Sequence, residues 1–137
     1  MKNLLYTLLF LVSTLNAVAV APTSGDGTSG NPWQIANLDN LEWLSTTSGE
    51  WITEKYFIQT ADINASDTTT WNGGEGFSPI GNFSDRFRAN YDGQNHTISG
   101  LYINSAPVNS TYPGLGFFGW VHGGIIKNIV LYHHHLT

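Results

Sequence analysis

A run of glycines near the carboxyl end of the sequence has the spacing of a nucleotide-binding loop. Residues 114–119 satisfy G-x-G-x-x-G, which binds dinucleotide phosphates at a strand-to-helix turn. Such a site also needs a following helix and an acidic residue about 20 positions on. No Asp or Glu follows Gly119, and Gly123-Gly124 would break a helix. We therefore interpret these glycines as tight corners beside packed aromatic residues.

Three consecutive histidines suggest a second kind of chemistry. In a strand, His133 and His135 would share one face and could chelate zinc or nickel. The same run is also typical of a solvated tail, so we predict no metal site, and metal binding by the run stays open. The absence of cysteine excludes disulfides and thiolate ligands.

Paired carboxylates would indicate a glycosidase, which sets two such groups about 5 to 10 Å apart. Asp62 could meet Asp85 or Asp92 if successive segments of the chain stack. Asp62 and Asp92 also suit turns, where a carboxylate accepts backbone N–H bonds. No group of Lys and Arg converges on them, and neither H-E-x-x-H nor G-x-S-x-G occurs. We predict no catalytic residue, no cofactor and no enzymatic activity.

Aromatic residues are the best candidates for ligand binding, because a flat ring can stack on a sugar. Trp71 lies in a polar segment, residues 64–76, and is the tryptophan most expected to be exposed. Trp51 is the second candidate ligand-binding residue. The other three tryptophans are expected in the core: Trp33, Trp43 and Trp120.

The composition restricts the possible partners. Charged residues make up 11% of the chain and the formal net charge is −5. Apart from Lys2, the basic residues are Lys55, Arg86, Arg88 and Lys127. So few cations argue against binding to nucleic acid or to an anionic membrane. Asn-x-Ser/Thr sequences, which mark surface turns, occur at Asn64, Asn82, Asn95 and Asn109.

The amino terminus has the pattern of a secretion signal. Lys2 precedes an apolar run that ends at Val12, and small residues at Ala17 and Ala19 fit a signal peptidase site. The apolar run is shorter than the ~20 residues of a spanning helix. We predict a signal peptide over residues 1–19, export to the cell surface or the exterior, and no membrane insertion after cleavage.

The next two segments are predicted to be a linker and a cap. Residues 20–30 are rich in turn formers and lack apolar anchors, which predicts a flexible linker. Residues 31–50 are predicted to form an amino-terminal cap. Within it, Asn37 is a candidate N-cap before a helix over residues 38–46.

From residue 51 onward, short apolar segments alternate with turns, which favours an all-β fold. Residues 98–103 and 126–131 share an apolar pattern at an offset of 28 residues (126 − 98). Stacked coils of a solenoid produce such echoes, because equivalent inward positions refill the same rows. Asp92-Gly93 suits a hairpin, so a β-sandwich stays the alternative.

Several segments resemble bacterial surface and secreted proteins that carry GLUG-type repeats. This adhesin-like group includes the non-catalytic arms of IgA-specific metallopeptidases. A GLUG-like repeat lies at about residues 114–131. The other matching segments, in the order seen in that group, are residues 31–35, 60–63, 78–81 and 91–99.

The resemblance implies a right-handed parallel β-helix of about three coils over residues 51–137, closed by the amino-terminal cap. Ala89 and Asn95 stand where such proteins usually have Gly. Asn tolerates left-handed backbone, whereas Ala89 requires a negative φ. The sequence ends shortly after the GLUG-like repeat. This predicts a truncated member of the group, a fragment of a longer gene product, or a chain whose last coil is covered by a further chain or subunit.

These observations predict a non-catalytic, secreted or cell-surface β-helix module. It would act as an adhesin-like scaffold for contact with a glycan or a host-surface protein. The alternative is the amino-terminal, non-catalytic segment of a secreted peptidase or carbohydrate-active enzyme. The identity of the ligand stays open.

Overall fold

The computed structural model of the protein describes residues 18–104 and 114–133. The predicted signal segment up to residue 17, the sequence at Asn109 and His134-His135 lie outside the described residues. Within the described ranges the helix α1 is Leu38–Thr46, the two 3₁₀ segments are Ser48–Glu50 and Ser66–Gly74, and the strands are β1 Trp33–Ile35, β2 Tyr56–Gln59, β3 Ile63–Asn64, β4 Asn90–Asp92, β5 Thr97–Ser99, β6 Ile126–Lys127 and β7 Val130–Tyr132.

The strands form two small sheets in which every pair is parallel. The larger sheet has the order β1-β2-β4-β6, and the smaller one has the order β3-β5-β7. From β2 onward the chain visits the two sheets in turn, so that β2, β4 and β6 are each followed by a strand of the smaller sheet. Each pass of the chain therefore adds one strand to each sheet.

The prediction of an all-β fold, a right-handed parallel β-helix of about three coils, is wrong, and so is the β-sandwich alternative. The described chain is mixed α/β, with helical segments and short parallel strands in two small sheets. A sandwich with hairpins needs antiparallel neighbours, whereas all named strand pairs here are parallel.

Side-chain hydrogen bonds explain why part of the polar segment 64–76 is helical in the structure. In Ser66–Gly74, the hydroxyls of Thr68, Thr69 and Thr70 each donate to the backbone carbonyl three residues earlier, at 2.6 to 3.1 Å. Such local bonds compete with strand pairing and favour turns. The strands stay short for a related reason, since residues with positive φ follow closely, including Gln94 and Asn128.

The register of the larger sheet aligns aromatic residues in one row. Trp33 lies beside Phe57, Phe57 beside Tyr91, and Tyr91 beside Ile126. The side chains of Phe57 and Tyr91 are fully buried. Since residues 57, 91 and 126 are 34 and 35 positions apart, each pass of the chain takes nearly the same length.

A second row crosses the smaller sheet, where Ile63 lies beside Ile98 and Ile98 beside Leu131. This register differs from the predicted one, which treated Ile98 and Ile126 as equivalent. Ile126 instead lies beside Tyr91 in the other sheet. The prediction that the 28-residue offset is the repeat length of the fold is therefore wrong. The two segments with similar apolar patterns do not align with each other, because Ile98 and Ile126 belong to different sheets.

The predicted helix over residues 38–46 is confirmed. The Asn37 side chain caps it by accepting a hydrogen bond from the backbone N–H three residues on, at 2.9 Å. Leu41 and Leu44 bury the inner face of α1, and the indole N–H of Trp51 donates to the Leu44 carbonyl at 2.8 Å. Among the described residues no helix has the length and apolar character needed to cross a membrane.

The stretch predicted as a linker contacts the first two strands. The carbonyl of Ser24 accepts a hydrogen bond from the Gln34 N–H at 3.1 Å, and the carbonyl of Gly27 accepts one from the Tyr56 N–H at 2.9 Å. Gly27 has a positive φ of 80°, and a Cβ there would lie 2.5 Å from the indole nitrogen of Trp33. A glycine is therefore required for this segment to reach the sheet edge.

A polar link crosses the interior between two passes of the chain. Gln59 is fully buried, and its amide nitrogen donates to the carbonyls of Ala61 (3.0 Å) and Thr97 (3.2 Å). The Tyr91 hydroxyl donates to Gln59 Oε1 at 3.3 Å. Burial raises the pKa of Tyr91 far above its ordinary value, so its hydroxyl stays a neutral donor.

We predict that Gln59→Leu destabilises the protein by about 1 to 3 kcal/mol, because it removes two hydrogen bonds to partly buried carbonyls and the acceptor of the buried Tyr91 hydroxyl. Tyr91→Phe removes one of these bonds and is expected to cost about 1 kcal/mol. Urea unfolding followed by tryptophan fluorescence measures both values. Gln34→Leu, at a half-buried position of the same sheet, is the control, and an equal effect of Gln34→Leu and Gln59→Leu would contradict the buried network.

Candidate functional site

The outer face of the four-stranded sheet holds a groove of about 180 Å³. Residues of β2 and β4 alternate across this sheet, so that Phe57 and Tyr91 point into the core while their neighbours face the groove. The residues around the groove are Pro32, Tyr56, Phe57, Ile58, Asn90, Tyr91, Asp92, Ile125 and Lys127, although the side chains of Phe57 and Tyr91 are buried.

The groove combines an aromatic ring with aliphatic side chains. Tyr56 and Ile58 are half-buried on β2, and Ile125 is exposed beside β6. No hydrogen bond among the described residues uses the Tyr56 hydroxyl, so it can serve a ligand. An apolar floor with a few polar groups is the usual character of a small-molecule site.

The acidic residue of the groove is held by three partners. Asp92 Oδ1 accepts hydrogen bonds from the Gln94 N–H and from Asn128 Nδ2, each at 2.9 Å. Asp92 Oδ2 lies 3.3 Å from the ammonium of Lys127. The bond from Asn128 is the main reason that the pKa of Asp92 lies below its ordinary value, despite partial burial. This carboxylate is therefore ionised and already paired.

Asn90 joins three passes of the chain at the same groove. Its Oδ1 accepts a hydrogen bond from the Ile125 N–H at 3.3 Å. Its Nδ2 lies 3.4 Å from the carbonyls of Thr53 and Lys55. Since both ends of the Asn90 amide have protein partners, its role in the described chain is to hold segments together.

Asp62 has the corresponding role at the smaller sheet. Its Oδ1 accepts a hydrogen bond from the Thr97 N–H at 2.8 Å and lies 3.3 Å from His96 Nδ1. The backbone bond from Thr97 is the main reason that the pKa of Asp62 is below its ordinary value. No hydrogen bond or ion pair in the described chain joins Asp62, Asp85 or Asp92 to one another.

Left-handed backbone follows Asp92 at its turn. Asn95 has a φ of 61° and Gln94 a φ of 50°. Asn is one of the residues that best tolerates this region. Ala89 is buried and has a negative φ, so the absence of Gly there imposes no strain.

The glycines of residues 114–119 form tight contacts without a helix. A Cβ on Gly119 would lie 2.6 Å from the carbonyl oxygens of Gly114 and Gly81. Phe117 and Phe118 of the same run pack edge to face, with ring centroids 4.8 Å apart. No helix follows in residues 120–133, so the arrangement lacks the helix N-terminus that a dinucleotide phosphate needs.

The two predicted ligand-binding tryptophans lie in the hydrophobic core. Trp71 is 7% exposed and Trp51 is 4% exposed, so the expectation that Trp71 faces solvent is wrong. The backbone at Trp71 is extended (ψ 154°) and interrupts the 3₁₀ segment. Neither ring presents a free face to a sugar.

The aromatic residue of the groove, Tyr56, was not among the predicted site residues, because nothing in its local sequence distinguishes it from a core strand residue.

Metal ligands do not converge in the part of the chain that the structure describes. No group of three or more His, Asp or Glu side chains there could hold a metal ion. His133 is exposed at the end of the last described segment, while the other two histidines of the run lie outside the described residues.

Two proteins resemble this chain over most of its length. Halomucin of Haloquadratum walsbyi is 34% identical over 114 residues, which are 79% of this chain and 1% of that protein. A protein of Evansella cellulosilytica named as a Gly-rich membrane protein is 30% identical over 119 residues, which are 82% of this chain and 12% of that protein. The chain thus spans a small fraction of each relative. No family model matches the chain, and no solved structure matches it.

The paired carboxylates predict a loss of stability in acid. Because the folded pKa of both Asp62 and Asp92 is lowered, the unfolded chain takes up protons first as the pH falls. Their contribution is complete above the ordinary value of 3.8 and is lost as the pH falls through the folded pKa. We expect Asp92→Asn to lower the free energy of unfolding by about 1 kcal/mol at neutral pH. The variant should also lose less stability than wild type as the pH falls into the acid range.

Urea unfolding at several pH values measures this effect. Glu54→Gln is the control for loss of one charge, because its exposed carboxylate has no ion pair among the described residues. An acid limb that is equally steep in wild type and in the Asp62→Asn, Asp92→Asn double variant would contradict the assignment.

Proposed function

We propose that this protein is a non-catalytic, secreted or cell-surface module that contacts a neutral glycan through the groove on its four-stranded sheet. The observation that carries the proposal is the pairing inside the groove. Asp92 and Lys127 neutralise one another at 3.3 Å, and the Asn90 amide has protein partners at both ends. What remains for a ligand is the Tyr56 ring, its hydroxyl and an aliphatic floor.

This pairing favours binding over turnover. A general acid needs a carboxyl group whose pKa is raised toward the operating pH. Asp62 and Asp92 have the opposite shift, because both accept hydrogen bonds that stabilise the charged form. A pyranose, in contrast, can lay its C–H face on the Tyr56 ring, with no demand on these carboxylates.

The relatives support location at the surface. One is named Halomucin and another is named as a membrane protein, and both are far longer than the matching segment. We therefore propose that the chain works outside the cell as one module among others. We also propose kinship with the GLUG-type surface proteins, which rests on the sequence segments alone.

A partner at the last strands is a further part of the proposal. Among the described strands β6 and β7 are the last of their sheets, and β7 carries exposed side chains, including Leu131 (52%) and Tyr132 (55%). Strand edges of this kind pair readily with another chain. We propose that a further chain or subunit packs on this edge. In a solution of the isolated protein, a second copy of the chain would pack there instead.

For the partner, we expect sedimentation velocity to show concentration-dependent association of the wild-type chain. Leu131→Asp should abolish the association, because it places a charge in an apolar contact. Ile52→Asp, at an apolar position of similar exposure (47%) on an earlier pass of the chain, is the matched control. A wild-type chain that stays monomeric, or equal effects of the two variants, would contradict a partner at this edge.

For the groove, we expect Tyr56→Ala to weaken binding to a neutral oligosaccharide about tenfold, since ring stacking contributes about 1 kcal/mol or more. A glycan array identifies the oligosaccharide, and calorimetry measures its affinity. Tyr102→Ala removes an exposed tyrosine that does not line the groove and is the control.

Turnover is measured on the same oligosaccharide. We expect no new reducing ends after prolonged incubation with the wild-type chain. Release of reducing ends that Asp92→Asn abolishes would overturn the non-catalytic assignment. Equal losses of affinity in Tyr56→Ala and Tyr102→Ala would contradict the proposal that the groove is the binding site.

A further inference from the structure

A cation lies beside a contacting pair of aromatic rings, on a surface away from the groove. The guanidinium carbon of Arg86 is 5.8 Å from the ring centroid of Phe83 and 5.6 Å from that of Trp120. The two rings meet edge to face, with centroids 5.7 Å apart. We call Phe83, Arg86 and Trp120 the arginine bracket. None of the three lines the groove.

Backbone contacts hold the bracket in place. Asn82 Oδ1 accepts hydrogen bonds from the Ser84 and Asp85 N–H groups, both at 2.9 Å, which closes a tight turn around Phe83. The Trp120 carbonyl accepts a hydrogen bond from the Phe87 N–H at 2.9 Å. The loop and the segment of Trp120 are therefore fixed relative to each other, so the rings and the guanidinium need little reorganisation to bind a ligand.

The charge of the bracket has no carboxylate partner in the described chain. Lys55 lies 3.0 Å from Glu50 and Lys127 lies 3.3 Å from Asp92. Arg86 and Arg88 form no ion pair within the described ranges. Arg86 is half-buried, whereas Arg88 is exposed. The guanidinium of Arg86 is thus partly desolvated and is positioned by aromatic rings. These rings leave its N–H groups available to donate hydrogen bonds to a ligand.

We propose that the arginine bracket binds the carboxylate of an acidic sugar. A guanidinium can stack on an aromatic face and still present two parallel N–H groups to a carboxylate. Phe83 is 51% exposed and lies beside this cation. A uronic acid matches both features, because its carboxylate projects from the edge of a ring whose C–H face is apolar. A carboxylate on a flexible peptide side chain lacks that flat face.

The test uses the full chain with trigalacturonate as the probe and its methyl ester as the uncharged analogue, both measured by calorimetry. We expect wild type to bind the acid and to discriminate against the ester. Arg86→Gln should lower the affinity for the acid about tenfold or more, because a bidentate charged contact is lost. Arg88→Gln removes the same charge outside the bracket and should change affinity less than about twofold.

Further variants separate binding from folding. Arg86→Lys keeps the charge and should still bind more weakly than wild type, since an ammonium cannot make the two parallel bonds. If Arg86→Gln does not fold, the comparison of Arg86→Lys with wild type decides. Tyr56→Ala should leave binding of the acid unchanged, so a failure of the groove and a failure of the bracket are distinguishable.

Four results would overturn the proposal. One is no binding of trigalacturonate up to about 10 mM. The second is equal affinity for the acid and the ester. The third is an equal loss in Arg86→Gln and Arg88→Gln, which would indicate a long-range charge effect. The fourth is equally tight binding of triglutamate, which would assign the site to acidic peptides.

Discussion

Parallel register is the constraint on which the rest of this protein depends. Each pass of the chain must return beside the previous one so that Phe57, Tyr91 and Ile126 fall in one row and Ile63, Ile98 in another. Strands of two to four residues cannot hold this register with backbone bonds alone. The register is also stabilised by buried aromatic rings that stack from one pass to the next and by polar side chains that hydrogen-bond between passes.

Those polar side chains account for the character of the surface. Asp62 and Asp92 hold the N–H and amide groups of the following pass, so their charges are used within the fold. The groove is left neutral, with Tyr56 as its main free feature. The arginine bracket is the exception, because rings rather than a carboxylate hold the charge of Arg86. The two surfaces thus differ in the ligand chemistry that they suit.

Local features of this fold were predictable from the sequence, and long-range ones were not. The helix over residues 38–46 follows from Asn37 and the apolar spacing after it, because both signals act within one turn. Trp71 was expected at the surface since its neighbours are polar, yet the core that buries it comes from distant segments. Arg86 and Trp120 are likewise brought together by the pairing of passes, which no local pattern of residues encodes.

The most direct test of the account is chemical-shift mapping of the isotope-labelled chain as a neutral oligosaccharide is added, with the sugar observed in the same sample. The account predicts shifts concentrated at Tyr56, Ile58, Asn90 and Ile125, while the sugar stays intact. Shifts centred on Asp62 and His96, together with new reducing ends in the sugar spectrum, would contradict it. That result would show that the paired carboxylates act on a substrate instead of holding the chain together.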